Sequence, residues 1–329
     1  MELRERVLAA LEHRIPDRVP RFELWIAREI AGALAHEDLP SAYVSPGLDC
    51  IPVPYQIPQG SNTWADGVDG WGQVWKDCMY VGGVVKTEAD LERYSPPLDY
   101  ANEFFDPVRV NEVRERYPDH SFTCGAHMGP FTAGYMAMGM EDFFLGLHER
   151  PAFTRKLLEA RAEWCVAIFQ KAASLGAEVL ILGDDAGHNT GPMISPQMWR
   201  EFILAHHRTI IEELDVPVIW HSDGAVQSLL PMATEPGFAG FHSLEPNAGI
   251  DLAKVKRQFG DDLVLIGNLD VAVLFGSDLE AVREEVRRCI EQGTPGGGYM
   301  FASCNSIFKG MNVDAVVEMY RYAGEMGVY

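Results

Sequence analysis

The sequence predicts an α/β chain folded as one (β/α)8 TIM barrel, and three observations predict it. Eight short apolar runs recur along the 329 residues, they are continuous rather than alternating, and helical segments separate most of them. Continuous runs mark parallel strands buried on both faces, and eight strand–helix alternations are the pattern of a barrel. No repeat, low-complexity tract or linker composition divides residues 1–329, so a single domain is the simplest reading.

The chain opens with a charged amphipathic helix in MELRERVLAALEHRIPDRVP, unlike a signal peptide. Strands are expected at Val19–Leu24, Cys50–Pro54, Ser121–Cys124 and Glu178–Leu182, then at Val216–Trp220, Ala239–His242, Leu263–Ile266 and Tyr299–Ala302. The clearest helices are Pro151–Leu175, Pro196–Leu214, Asp251–Phe259, Leu279–Gln292 and Val313–Met326. More than sixty residues separate the second strand from the third. Their turn glycines and alternating aromatics, TWADGVDGWGQVWKDCMYVGGVV, read as a β-hairpin insertion. It either covers the barrel mouth or is a small structural excursion. Trp64, Trp71 and Trp75 more simply pack that insertion than line a pocket. PGGGY at Pro295–Tyr299 reads as a tight turn into the last strand, since it lacks a phosphate-loop pattern.

Composition limits the partners. With 48 acidic and 27 basic residues the formal charge is −21, which repels phosphate backbones, so neither nucleic acid nor an anionic membrane is expected. No apolar run approaches the length of a membrane span. Six scattered cysteines without a CxxC pair read as free thiols of a cytoplasmic protein.

Polar residues gather just after the strands: CGAHMGPF, GDDAGHNTG, HSDG, SLEP, GNLD and SCNS. In a barrel these segments share the rim where active sites lie. Asp, Asn and Gly favour loops in any case, but histidine, cysteine and carboxylates are the types that bind zinc or move protons. His221, Asp185, Asp223 and Asn305 are therefore the expected catalytic residues. His127, His188, Asp184, Asn268, Trp25 and Gln56 are the expected substrate contacts. His221, Glu245 and Cys304 form a plausible Zn²⁺ set, with Asp185 or Asp223 able to replace Glu245. The plainer reading of Cys304 is an inert thiol packed under the rim.

These segments together resemble the uroporphyrinogen decarboxylase superfamily. RERVLAALEHRIPDRVP, DGWGQVW, GDDAGHNTGPMISPQMWREF, HSDGAV, LEPNAGIDLAKVKRQFGDDLVLIGNLD and PGGGYMFASCNSI fit it in order. The resemblance implies a barrel with its site at the C-terminal rim. It also implies one of two activities: uroporphyrinogen decarboxylation, or zinc-dependent methyl transfer involving a corrinoid protein. The decarboxylases carry an Arg-rich RQAGRY segment where this chain has FELWIAREI with Arg28 alone. Gln56 falls near their catalytic aspartate and Asn305 near their late histidine. The methyltransferases hold zinc through a His-x-Cys and a later Cys. Here the pair reads His221-x-Asp223, and Cys304 sits one position off. The resemblance therefore implies a methyltransferase that takes a methyl group from an aryl methyl ether or similar small donor to a corrinoid carried by a partner protein. Related proteins are often homodimers. A lyase acting on another substrate, or a metal-free ligand-binding barrel, is the alternative.

Overall fold

The computed structural model describes residues 1–35, 38–56, 65–126 and 128–329. Its twelve strands are β1 (Cys50–Pro52), β2 (Gly67–Val68), β3 (Gln73–Lys76), β4 (Met79–Gly83), β5 (Ser121–Ala126), β6 (Val179–Gly183), β7 (Gly187–His188), β8 (Gly191–Pro192), β9 (Val218–Ser222), β10 (Gly240–Ser243), β11 (Val264–Leu269) and β12 (Tyr299–Ser303). Seven of them form one parallel sheet in the order β1-β5-β6-β9-β10-β11-β12. The sheet has the curled form of a barrel, with helices between successive strands.

The expected first strand is present only as isolated bridges. Phe22 N donates to Phe301 O at 2.9 Å, Phe301 N to Pro20 O at 2.8 Å, and Asp49 N to Arg21 O at 2.9 Å. Residues 20–22 thus span the two sheet edges without making a ladder. Proline at position 20 lacks the N–H a regular strand would need there.

The interval between β1 and β5 holds a three-stranded antiparallel sheet, β2-β3-β4, instead of a two-stranded hairpin. Its tryptophans pack: Trp75 is buried and donates to Asp69 at 2.9 Å, and the Trp71 ring lies 4.6 Å from that of Trp164. Trp64 lies outside the described residues. The expected helix Pro196–Leu214 is interrupted at Ile203, giving helices Pro196–Phe202 and Leu204–Glu212. Three consecutive glycines, Gly296–Gly298, all adopt positive φ and make the turn into β12.

Strand alternation sorts the side chains. Val179, Ile181, Ile219, Val264, Ile266 and Met300 form an inner cluster with Phe22. Their neighbours Leu180, Leu182, Trp220, Phe241, Leu265 and Phe301 face the helices. Each such burial contributes about 1.5–3 kcal/mol. The same period of two carries into the rim: His221 follows Ile219 on the inner face, and Asp223 comes two residues later.

Candidate functional site

His221 is positioned by parallel register. It pairs with Gly183 on β6 and His242 on β10, so both neighbours share its face. Gly183 adds no side chain there. His242 does, and its ring centroid lies 4.9 Å from that of His221, with the two Nδ1 atoms 2.7 Å apart. His242 Nε2 approaches Ser303 O at 3.3 Å. Burial, then the neighbouring His221, holds His242 well below the usual imidazole range.

The other nitrogen of His221 faces two carboxylates. Nε2 is 3.8 Å from Asp185 Oδ1 and 3.7 Å from Asp223 Oδ1. Asp223 Oδ2 accepts from Asn305 Nδ2 at 2.6 Å, and Asp223 N donates to Asp185 Oδ1 at 3.1 Å. Asp223 Oδ1 is buried and has no hydrogen-bond partner among the described residues. Burial, opposed by His221 and reinforced by Asp223, pushes the Asp185 carboxyl above its ordinary value. One atom from each of Asp185, His221 and Asp223 lies within 4.8 Å of the others.

The turn bearing Asp223 is clamped from two sides. Gly224 has φ +83°, and a Cβ on it would meet Gly187 C at 2.6 Å, so the β7–β8 hairpin requires glycine there. Ala225 N donates to His188 O at 2.9 Å. Glu245 Oε2 accepts from Gly224 N at 2.9 Å.

The structure therefore brings together His221, Asp185, Asp223 and Asn305. It does not bring Glu245 and Cys304 into the ligand cluster. Ser243 and Leu244 have φ of 101° and 55°, so strand alternation ends before Glu245, which holds the neighbouring turn. Cys304 is buried, and burial pushes its thiol well up. Asp184 faces the helices: its carboxylate accepts from Thr132 N at 2.8 Å, Phe131 N at 3.3 Å and His207 Nε2 at 2.8 Å. Asn268 is fully buried, donating to Leu244 O at 2.7 Å and accepting from Arg288 at 3.1 Å. Gln56 is exposed and donates to Glu103 O at 3.1 Å. Trp25 and His188 are exposed, the latter 3.2 Å from Thr190 Oγ1. His127 lies outside the described residues.

The profile of the uroporphyrinogen decarboxylase (URO-D) family matches residues 76–326. The chain belongs to the uroporphyrinogen decarboxylase family. Among its relatives, a methylated-thiol–coenzyme M methyltransferase of Methanosarcina mazei is 30% identical over 190 residues, covering 56% of this chain and 49% of that protein. A uroporphyrinogen decarboxylase of Methylococcus capsulatus is 25% identical over 229 residues, covering 66% and 63%. The chain thus spans about half of the first of these relatives and under two thirds of the second. A solved methyltransferase from Methanosarcina mazei has the same fold, with TM-score 0.78, 20% identity and 99% of both chains covered.

The family match includes Asp185, His221, Asp223 and Asn305 and leaves out Trp25 and Gln56. His242 is the site residue the sequence reasoning missed. A signal existed: adjacent strands end in the same order, Trp220-His221-Ser222 and Phe241-His242-Ser243.

Proposed function

We propose that this family member is a methyltransferase that moves a methyl group from a small methylated donor, an aryl methyl ether or similar, to a corrinoid on a partner protein. Asp185, His221 and Asp223 would hold Zn²⁺. The observation that carries the reading is Asp223 Oδ1, a buried carboxylate oxygen with no hydrogen-bond partner among the described residues, turned toward His221. An edge of a tetrahedral zinc site is about 3.3 Å, so distances of 3.7 and 3.8 Å need only a small contraction. Three protein ligands leave one position open, as catalytic sites do.

Bound there, zinc supplies Lewis acidity that polarises the leaving oxygen. Two carboxylates neutralise a dication and are harder donors than thiolates, which suits an oxygen-linked methyl donor. Asn305 orients Asp223, and the clamped turn holds it at the rim. The similarity to a methylated-thiol methyltransferase supports the reaction class. FELWIAREI in place of an Arg-rich segment speaks against uroporphyrinogen as substrate.

A metal-free lyase is the second reading, favoured by Asp185, whose raised carboxyl suits a proton donor. Elemental analysis of purified protein beside a corrinoid absorbance assay separates the two. The expected result is one zinc per chain and methyl transfer to cob(I)alamin, both lost together in His221→Ala while the fold persists. Wild type that carries no stoichiometric metal and ignores added Zn²⁺ rules out the zinc reading. Full activity in His221→Ala rules out the site.

A further inference from the structure

We propose that His242 is the positioning residue of this site: anchored on Ser303, it accepts the His221 Nδ1–H and so aims His221 Nε2 at Asp185 and Asp223. The inference rests on the proposed metal reading only for what His221 Nε2 is used for.

The geometry leaves little choice. Two Nδ1 atoms 2.7 Å apart have room for one proton between them, so one of them is bare. Ser303 O, 3.3 Å from His242 Nε2, can only accept, so that nitrogen carries a hydrogen. A second hydrogen on Nδ1 would make His242 a cation. The ring is 0% exposed, and among the described residues no carboxylate pairs with it, so burial disfavours that charge. His242 Nδ1 is therefore the acceptor, and His221 Nδ1–H donates to it. That leaves His221 Nε2 as the ring atom facing Asp185 and Asp223. The reverse arrangement would set two lone pairs against each other at Ser303 O.

Ligating histidines are usually oriented by a carbonyl or carboxylate on the other ring nitrogen. Here a second imidazole takes that place, and a carbonyl settles which way the second imidazole faces. Its position on the adjacent strand, directly opposite His221, fixes the ring pair with backbone on both sides.

The test is long-range ¹H–¹⁵N spectroscopy of histidine-labelled, metal-free protein at about pH 9, with His221 identified by the signal missing from His221→Gln. The expected spectrum shows His221 Nδ1 protonated. A ring protonated on Nε2 alone, or averaging between the two neutral forms, overturns the inference, and this arm needs no metal. In a second arm, Co²⁺ and Zn²⁺ are titrated into folded wild type, His242→Leu and His242→Asn. Leucine removes the acceptor, and metal affinity should fall about 10–100-fold. Asparagine can present its carbonyl oxygen near the Nδ1 position, and affinity should return to within a few-fold of wild type. Equal losses in both variants, or no loss in His242→Leu, overturn the positioning role. Wild type that binds neither metal sinks the zinc reading, while the spectrum still decides the proton's place.

Discussion

Asp184 and Asp185 are consecutive residues, and each meets a histidine, yet the two pairs do opposite things. Asp184 points outward from β6, is 0% exposed, and has two backbone amides and His207 bonded to its carboxylate. Asp185 points to the rim, is half-buried, lies 3.8 Å from His221 Nε2, too far for a hydrogen bond, and accepts from Asp223 N alone at 3.1 Å among the described residues. The first pair is satisfied and braces the helix Pro130–Met138 against the sheet. The second is under-satisfied and open to a ligand. The difference follows from the period-two alternation of a strand, since residue type is the same. A carboxylate beside a histidine therefore indicates chemistry only when its other lone pairs lack donors.

Removing each carboxylate should separate the pairs. Asp184→Ala leaves His207 and two amides buried without a partner, and should cost about 3–5 kcal/mol in urea unfolding. Asp185→Ala should change stability far less and act on metal binding instead. Equal destabilisation by both would break the distinction.

Glu23 sharpens it, because it is buried like Asp184 but has no imidazole or other cation bonded to it among the described residues. It accepts from Ser303 Oγ at 3.0 Å and Leu24 N at 3.1 Å, and Tyr320 also donates to it. Burial outweighs these bonds and raises its carboxyl from 4.5 to about 7. A carboxyl that holds its proton more tightly when folded stabilises fully below its unfolded value, here 4.5, and loses that contribution as pH rises through about 7. Measured against Glu23→Gln, wild type should lose roughly 2–3 kcal/mol between pH 5 and pH 8. A pH-independent difference would show that the buried carboxylate is well compensated.

The smallest effect is expected at Asn305, whose amide touches Asp223 at 2.6 Å. Asn305→Ala should lower metal affinity about tenfold with little change in unfolding free energy. A large stability loss would move Asn305 to the framework side of the comparison.

Much of this architecture was legible in the sequence. Apolar runs located the parallel strands, because strands buried on both faces leave a continuous signature. His221 and Asp223 were readable because two-residue spacing at a strand end puts both on one face. Other features depend on contacts that no spacing encodes. Strand alternation ends at Ser243 and Leu244, which turns Glu245 to Gly224 N. Asp184 looked like a rim residue until the strand's end placed it on the helix side. The first strand dissolved into bridges because Pro20 cannot pair on both sides. His242 was passed over because its significance comes from register with β9, which exists only after the strands associate.

The clamp on Gly224 has a consequence for ion selection. A loop that must fold around its ion can adjust to any radius, spending conformational entropy to do so. Here the β7–β8 hairpin presses on one side of the turn and Glu245 holds the other, so Asp223 is already in place. Little freedom is left to lose on binding. Little is left to accommodate a large ion either, such as Ca²⁺ with its long bonds and six to eight ligands. Stiffness in the backbone thus becomes discrimination by size.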